Sequence, residues 1–177
     1  MRTLLLDRDG VINHDRADFI RRAADWKPIA GSLEALARAQ QAGYRLVVIS
    51  NQSGLGRGLF SMRDLNEIQT RLQSELEKFR ARIDAFFFCP HQPNAACSCR
   101  KPSAGLLHSL AERLQLDLTD VPFVGDRQSD ALAAQAVGAR AILVRTGLRE
   151  LVVDHPRLRG IEVYSNLSSA VDTLLEC

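Results

Sequence analysis

The sequence predicts an α/β fold, in which a Rossmann-like parallel sheet carries helices on both faces. Short apolar segments of strand length alternate along the chain with segments whose apolar residues recur at helical spacing. This alternation is typical of parallel sheets, because each crossover between parallel strands requires a long connection, usually a helix. The predicted elements use nearly all of the 177 residues, so we expect a single domain over residues 1–177 and no lid domain.

The first βαβ unit opens the chain. Thr3–Asp7 is a short apolar run, which predicts a strand buried on both faces. A helix is predicted from Ser32, as its N-cap, through Ala42, and Gly43 ends it. Leu46–Ile49 is rich in β-branched residues and predicts the second strand.

A long helix follows, because Ser61 and Asp64 have the spacing of a capping box and apolar residues recur at helical spacing to about Arg82. Phe86–Phe88 predicts the third strand. The remaining elements alternate in the same way: a helix from Ser103 to Leu114, a strand at Val121–Val124, a helix at Ser129–Val137, a strand at Ala141–Val144, a strand at Ile161–Tyr164 and a helix at Leu167–Leu175.

Composition argues against several classes of partner. The net charge is only +2 and there is no basic run, so we expect no nucleic-acid binding. No apolar stretch approaches the roughly 18 residues of a membrane span, and no signal peptide precedes the first strand. We therefore expect a cytoplasmic monomer with no membrane partner.

Two carboxylates end the first strand, since Asp7 and Asp9 are followed at once by Gly10. In an extended chain, residues i and i+2 point the same way, so both carboxylates can face one substrate. Two like charges at a buried strand end are costly unless a cation offsets them, which predicts a divalent metal. The alternative is a strand that ends in a solvated aspartate turn.

Polar residues also cluster near the ends of three other predicted strands. These clusters are Ser50-Asn51, Arg100-Lys101 and Gly125-Asp126-Arg127 with Asp130. Each alone would fit a surface turn, but a parallel sheet brings the carboxyl ends of its strands to one edge. Together they supply a carboxylate nucleophile, a metal site, donors for phosphate oxygens and a proton donor, which predicts phosphoryl transfer.

The loop 89–99 combines thiols and an imidazole, at Cys89, His91, Cys97 and Cys99. Three thiols and one imidazole form a closed tetrahedral set, which predicts structural Zn²⁺. The alternative is a core cysteine at position 89 beside an unrelated loop histidine, which the close Cys97/Cys99 pair disfavours. Zinc would fix the loop just before Lys101. Free thiols in this pattern are typical of a reducing compartment, and we expect Cys177 to be inert.

These motifs resemble those of the haloacid dehalogenase superfamily of phosphatases, and the resemblance covers the whole chain. Asp7-Arg8-Asp9-Gly10 matches the first motif of that superfamily, and Ser50 matches the second. Lys101 matches the third motif, and Asp126 with Asp130 matches the fourth.

The resemblance implies a role for each motif residue. Asp7 would attack phosphorus and form an aspartyl-phosphate, while Asp9 would act as general acid and then as general base. Ser50 and Lys101 would hold the phosphoryl oxygens. Mg²⁺ would bind Asp7, the Asp9 carbonyl and Asp126, and the role of Asp130 stays open.

Two subgroups of the superfamily that carry a zinc-binding loop resemble this sequence. The segments 51–58 and 144–147 look like those of the heptose bisphosphate phosphatases, whereas histidinol-phosphate phosphatases typically carry Asp in place of Ser53. The five-residue gap between His91 and Cys97 resembles the histidinol enzymes instead. We expect a Mg²⁺-dependent phosphatase that removes the 7-phosphate of a heptose bisphosphate, a step toward bacterial surface polysaccharide. A histidinol-phosphate phosphatase is the alternative, and a non-catalytic metal-binding interaction domain is the second.

Without a lid domain, specificity for a small phosphorylated sugar must come from short loops at an open mouth. Arg100 is the strongest candidate, because it lies between a predicted zinc ligand and the predicted phosphate-binding lysine. The predicted substrate-binding set is Asp15, Arg16, Ala17, Asp18, Asn51, Gln52, Ser53, Arg57, Arg100 and Arg127.

Overall fold

Six parallel strands form one sheet in the part of the chain that the structure describes, which comprises residues 2–151, 156–158 and 160–176 of a computed structural model. Cys177 lies outside these residues. The strands are β1 (Arg2–Leu6), β2 (Tyr44–Asn51), β3 (Ala85–Cys89), β4 (Pro122–Gly125), β5 (Arg140–Val144) and β6 (Glu162–Tyr164). Their order is β3-β2-β1-β4-β5-β6, which places β1 in the middle of the sheet.

Helices cover both faces of this sheet, as the sequence predicted. They are α1 (Ser32–Gln41), α2 (Ser53–Gly56), α3 (Met62–Glu77), α4 (Gly105–Leu114), α5 (Gln128–Gln135) and α6 (Leu167–Glu176). Apolar residues of α1, α3 and α6 pack on one face with Leu4 and Leu6 of β1. Those of α4 and α5 pack on the other face with Leu5. Successive β1 residues therefore alternate between two cores, which explains the continuous apolar run.

Three predicted helix boundaries were wrong. Gly31, with a φ of 81°, is the N-cap of α1, and the Ser32 hydroxyl instead donates to the Val11 carbonyl at 3.1 Å. Ser103 does not cap α4, whose N-cap is Ala104. The capping box of Ser61 and Asp64 is confirmed, but α3 ends at Glu77, short of the predicted Arg82.

Polar residues lie at the carboxyl edge of the sheet, where Asp7 follows β1, Ser50 and Asn51 end β2, and Asp126 follows β4. None of the described helices is both long and apolar enough to cross a membrane. The edge above β1 lies between loops from β2 and β3 on one side and from β4 and β5 on the other, which is where open α/β sheets bind ligands.

Candidate active site

A cavity of about 420 Å³ opens at this carboxyl edge. Its walls come from the segments that follow β1, β2, β3, β4 and β5. A larger apolar groove of about 670 Å³ lies beside the loop 90–95, away from the predicted catalytic residues. The polar cavity is the candidate active site, because Asp7, Asp9, Lys101 and Asp130 line it.

Asp7 stands at the end of β1 and is almost fully buried. One of its carboxylate oxygens accepts a hydrogen bond from the Arg8 backbone N–H at 2.7 Å, and the other lies 3.2 Å from Lys101 Nζ. Burial raises the pKa of Asp7 to about 7, although the charge of Lys101 opposes this rise. Any further positive charge that enters the cavity would stabilise the ionised form of Asp7.

Asp9 is held as a carboxylate by four donors. Arg8, a buried side chain, donates through Nε and Nη2 at 3.0 and 2.9 Å. Asn13 and Gln52 donate from their side-chain amides at 2.9 and 3.0 Å. Burial alone would raise the pKa of Asp9, but the charge and hydrogen bonds of Arg8, with those of the two amides, hold it below its usual value. Both oxygens of Asp9 are thereby occupied.

Lys101 is the buried cation of the site. Its Nζ lies 2.7 Å from Asp130 Oδ1 and 3.2 Å from Asp7 Oδ2, and it donates to the Ile49 carbonyl at 2.7 Å. The backbone of Lys101 exchanges two hydrogen bonds with the Asn51 side-chain amide, each at 3.1 Å. Burial would lower the pKa of Lys101, but Asp130 and Asp7 together raise it. The lysine therefore stays charged between two aspartates.

Ser50 places its hydroxyl on the same wall, at the end of β2. The hydroxyl accepts a hydrogen bond from the Gln52 side-chain amide at 2.6 Å, and the same amide reaches Asp9. Ser50 lies beside Phe88 of β3 in the sheet, so its position is fixed by strand pairing rather than by a flexible loop. A hydroxyl held in this way can still donate its own proton to a phosphate oxygen.

Three carboxylates converge on one point at the edge of the sheet. One oxygen each from Asp7, Asp126 and Asp130 lies within 4.8 Å of the others. Asp126 Oδ1 is buried and accepts no hydrogen bond from any residue that the structure describes. Asp130, by contrast, accepts from the backbone N–H groups of Asp126 and Arg127 at 3.2 and 3.0 Å and pairs with Lys101. The open oxygen of Asp126 makes this donor set fit a hard divalent cation such as Mg²⁺.

Two glycines leave room for Asp126. A Cβ atom at Gly10, which has a φ of 82°, or at Gly147 would collide with Asp126 Oδ2. Burial, with the negative charges of Asp7 and Asp130, raises the pKa of Asp126 to about 8. A cation bound here would offset the burial and mutual repulsion of these carboxylates. Without a cation, the same two effects favour the protonated carboxyl groups. The Asp9 carbonyl remains a predicted ligand.

The cysteines and the histidine of the loop 89–99 also converge. Cys89 Sγ lies 3.2 Å from Cys99 Sγ and 3.8 Å from Cys97 Sγ, and His91 Nδ1 lies 3.5 and 3.2 Å from the Cys89 and Cys99 sulfurs. Tetrahedral Zn²⁺ with bonds of about 2.3 Å separates its ligand sulfurs by about 3.8 Å. The four groups therefore fit zinc after small adjustments. The loop also meets α4, since the Gly105 N–H donates to the Ser98 carbonyl at 2.9 Å.

The cavity wall contains all but two of the predicted substrate-binding residues. Asp18 is not on the wall; it is exposed and forms an ion pair with Arg16, which does line the cavity, at 3.0 Å. Arg57 is not on the wall either, because its guanidinium lies over the Phe19 ring, 5.6 Å from the ring centre. Phe19 does line the cavity, so Arg57 stands one side chain away from it.

Sequence reasoning missed several residues of this site. Arg8 is the central residue of the Asp-x-Asp motif, and nothing in that pattern indicates that this residue pairs with the second aspartate. The pattern likewise does not indicate that the Asn13 side chain donates to Asp9. The segment after β5 could have been found, because it ends at the same sheet edge as the predicted clusters. The missed wall residues are Phe19, Ile20, Pro102, Ser129, Leu148 and Arg149.

The fold and the buried aspartates define a phosphoric monoester hydrolase of the haloacid dehalogenase type. A family model described as HAD-hydrolase-like matches residues 98–170. The chain is 41% identical to the D-glycero-β-D-manno-heptose-1,7-bisphosphate 7-phosphatase of Pseudomonas putida, over 99% of this chain and 100% of that protein. It is 39% identical to the enzyme of that name from Bordetella bronchiseptica, over 99% of both chains. The chain belongs to this family of heptose bisphosphate phosphatases.

Solved structures agree with this assignment. The B. bronchiseptica D,D-heptose 1,7-bisphosphate phosphatase, crystallised with magnesium and phosphate, has a TM-score of 0.95 at 39% identity and 99% coverage of both chains. The phosphatase of the same name from Burkholderia thailandensis has a TM-score of 0.73 at 34% identity and 100% coverage of both chains. The predicted fold class and family are confirmed, and the interaction-domain alternative is set aside.

Proposed function

We propose that this chain hydrolyses the 7-phosphate of D-glycero-D-manno-heptose 1,7-bisphosphate through an aspartyl-phosphate on Asp7. The observation that carries the proposal is the buried group of Asp7, Lys101, Asp126 and Asp130 at the sheet edge. A carboxylate nucleophile with charges of both signs around it suits attack on a phosphate ester. The names of the relatives supply the sugar.

In the first step, a carboxylate oxygen of Asp7 attacks phosphorus and the bond from phosphorus to the sugar oxygen breaks. Bound between Asp7 and Asp126, Mg²⁺ would neutralise the charge of the phosphoryl group and allow the carboxylate to approach it. Ser50 and Lys101 donate to the phosphoryl oxygens. The magnesium in the Bordetella structure supports the choice of metal.

Asp9 acts as the general acid and then as the general base. It gives one proton to the departing sugar oxygen, and in the second step it takes one from the water that attacks the aspartyl-phosphate and releases phosphate. Its four donors favour the ionised form, which is the form that the second step needs. A protonated Asp9 cannot accept all four bonds, so the first step requires at least one donor, such as Arg8, to move away.

The zinc loop and the mouth residues determine which substrate enters. Zn²⁺ on Cys89, His91, Cys97 and Cys99 would fix the loop that carries Arg100 and Lys101, since residues 91–96 of this loop are exposed. Arg100 lines the cavity with one buried guanidinium nitrogen that has no hydrogen-bond partner among the described residues. Such a donor is expected to find its partner on the substrate.

The remaining wall residues complete the proposed binding site. Asn51 positions Lys101, Arg127 and Asp15 form an ion pair at the mouth, and Arg16 stands beside them. We assign Ala17, Gln52 and Ser53 to the same wall. We further propose a single domain over residues 1–177 that acts as a cytoplasmic monomer, with no nucleic-acid or membrane partner.

The test is phosphate release from a panel of heptose 1,7-bisphosphate, histidinol phosphate and p-nitrophenyl phosphate, each with and without Mg²⁺. We expect the heptose bisphosphate to have the highest kcat/KM and all activity to require Mg²⁺. A preference for histidinol phosphate, which the short gap between His91 and Cys97 would favour, would refute the proposed substrate. Activity that persists in a chelator would refute the metal assignment.

A further inference from the structure

Most cations on the cavity wall are already neutralised. Lys101 pairs with two buried aspartates. Arg127 pairs with Asp15, and Arg16 pairs with Asp18 at 3.0 Å. Lys101 is already assigned to the reacting phosphoryl group, and a second phosphate that approached Arg127 or Arg16 would compete with a carboxylate for it. They are therefore poor candidates for a second anion site.

Two arginines on the wall differ from these. Arg100 has a buried nitrogen with no hydrogen-bond partner in the described part of the chain. Arg149 is exposed and lines the cavity, and it forms no ion pair with any described residue. Both guanidinium groups have donors left for a ligand, and a guanidinium matches the geometry of a phosphate.

The topology places these arginines on opposite sides of the nucleophile. Arg100 lies in the loop after β3, and Arg149 lies in the segment after β5. The strand order puts β3 on one side of β1 and β5 on the other. Asp7 follows β1, so a ligand whose phosphorus is at Asp7 has one of these two arginines on each flank.

We infer that Arg149 is a specificity residue that binds the second, non-reacting phosphate of a sugar bisphosphate at the mouth of the cavity. The inference rests on the proposed function, because only a bisphosphate brings a second dianion. Leu148, beside it, lines the cavity with about half of its surface exposed and offers an apolar contact to the sugar ring. A monophosphate ester would leave Arg149 in solvent.

Arg145 provides a matched control. It is also an exposed arginine at the end of β5, only four positions away, but it is not part of the cavity wall. Its backbone N–H donates to the Tyr164 carbonyl, a bond that side-chain truncation leaves intact. Arg145→Ala therefore removes the same charge from the same segment without removing a group from the cavity.

The experiment compares kcat/KM for heptose 1,7-bisphosphate and for p-nitrophenyl phosphate in each variant. In Arg149→Ala, the ratio of the two values should fall about 10-fold to 100-fold, the range for a lost hydrogen-bonded contact to a charged group. The loss should appear chiefly as a higher KM, because the second phosphate is bound alike in the ground and transition states. Arg149→Lys should recover part of the ratio, since lysine keeps the positive charge but lacks the paired N–H donors of the guanidinium group.

Three results distinguish the outcomes. A ratio that stays within about twofold of the wild-type value in Arg149→Ala, as equal losses on both substrates would give, would overturn the inference. An equal fall of the ratio in Arg145→Ala would assign the effect to general surface charge and would also overturn it. A wild-type enzyme that fails to hydrolyse the bisphosphate while hydrolysing other esters would refute the proposed function itself.

Discussion

Lys101→Met is the most informative single substitution in this site. Methionine has nearly the length of lysine and fills the same space, so the change removes the charge with little change in packing. The wild-type ammonium stands 2.7 Å from Asp130 Oδ1 and 3.2 Å from Asp7 Oδ2, and its side chain is about 1% exposed. The variant leaves two buried carboxylates next to Asp126 with no cation between them.

The expected loss of stability follows from this geometry. Removing one partner of a buried ion pair typically costs about 3–5 kcal/mol, because the remaining charge stays buried without compensation. For a chain of this size, 1 kcal/mol shifts the melting temperature by about 2–4 °C, so we expect a decrease of about 6–20 °C. Activity should also be lost, since no donor replaces Nζ on the phosphoryl oxygens.

The loss should depend on pH and on Mg²⁺. Without Lys101, protonation is the remaining way to neutralise Asp7, so its pKa should rise above the wild-type value of about 7. A raised pKa in the folded state means that stability is lost as pH rises through that pKa. The deficit of the variant should therefore be smaller at pH 5 than at pH 8, and saturating Mg²⁺ should reduce it at pH 8.

Thermal and urea unfolding of wild type, Lys101→Met and Lys27→Met provide the assay. Lys27 is an exposed lysine, so its substitution controls for the loss of one positive charge from the chain. It should change stability by less than about 0.5 kcal/mol. A loss below about 1 kcal/mol in Lys101→Met without Mg²⁺ at pH 8 would refute the argument that this lysine compensates buried carboxylates.

The sequence predicted the fold and the sheet edge because both depend on short-range patterns. Apolar runs and helical periodicity identified all six strands and five of the six helices of the described chain. Boundaries were harder, because caps depend on backbone geometry. Gly31 takes the left-handed conformation that starts α1, and no sequence pattern distinguishes it from Ser32. Arg80, with a φ of 57°, lies beyond the end of α3 although neither glycine nor proline marks that position.

Site residues were predictable where they follow strands and unpredictable where they depend on side-chain pairing. Asp7, Ser50 and Asp126 lie at strand ends, so the parallel sheet alone brings them together. Which arginine pairs with which carboxylate is decided by contacts between distant segments. Arg57 illustrates the limit, because its guanidinium packs on Phe19, more than thirty positions earlier in the chain.

Three further predictions test the catalytic and metal assignments. Asp7→Asn should abolish turnover in the Mg²⁺-dependent phosphate-release assay, because an amide is a poor nucleophile, and near-normal activity would refute the aspartyl-phosphate. Cys97→Ala should lose the single zinc that metal analysis is expected to find in the wild type, and should lower activity by loosening the loop before Lys101; zinc-free wild type purified without chelator would reject the site. Without Mg²⁺, wild-type stability should fall between pH 5 and pH 8, because burial raises the pKa of Asp7 to about 7 and that of Asp126 to about 8, so the folded chain binds protons that the unfolded chain has released. Mg²⁺ should flatten this dependence by replacing those protons, and Asp126→Asn should flatten it without Mg²⁺. Urea unfolding at both pH values measures the effect, and a pH slope that Asp126→Asn and Mg²⁺ both leave unchanged would show that these carboxylates are not its source.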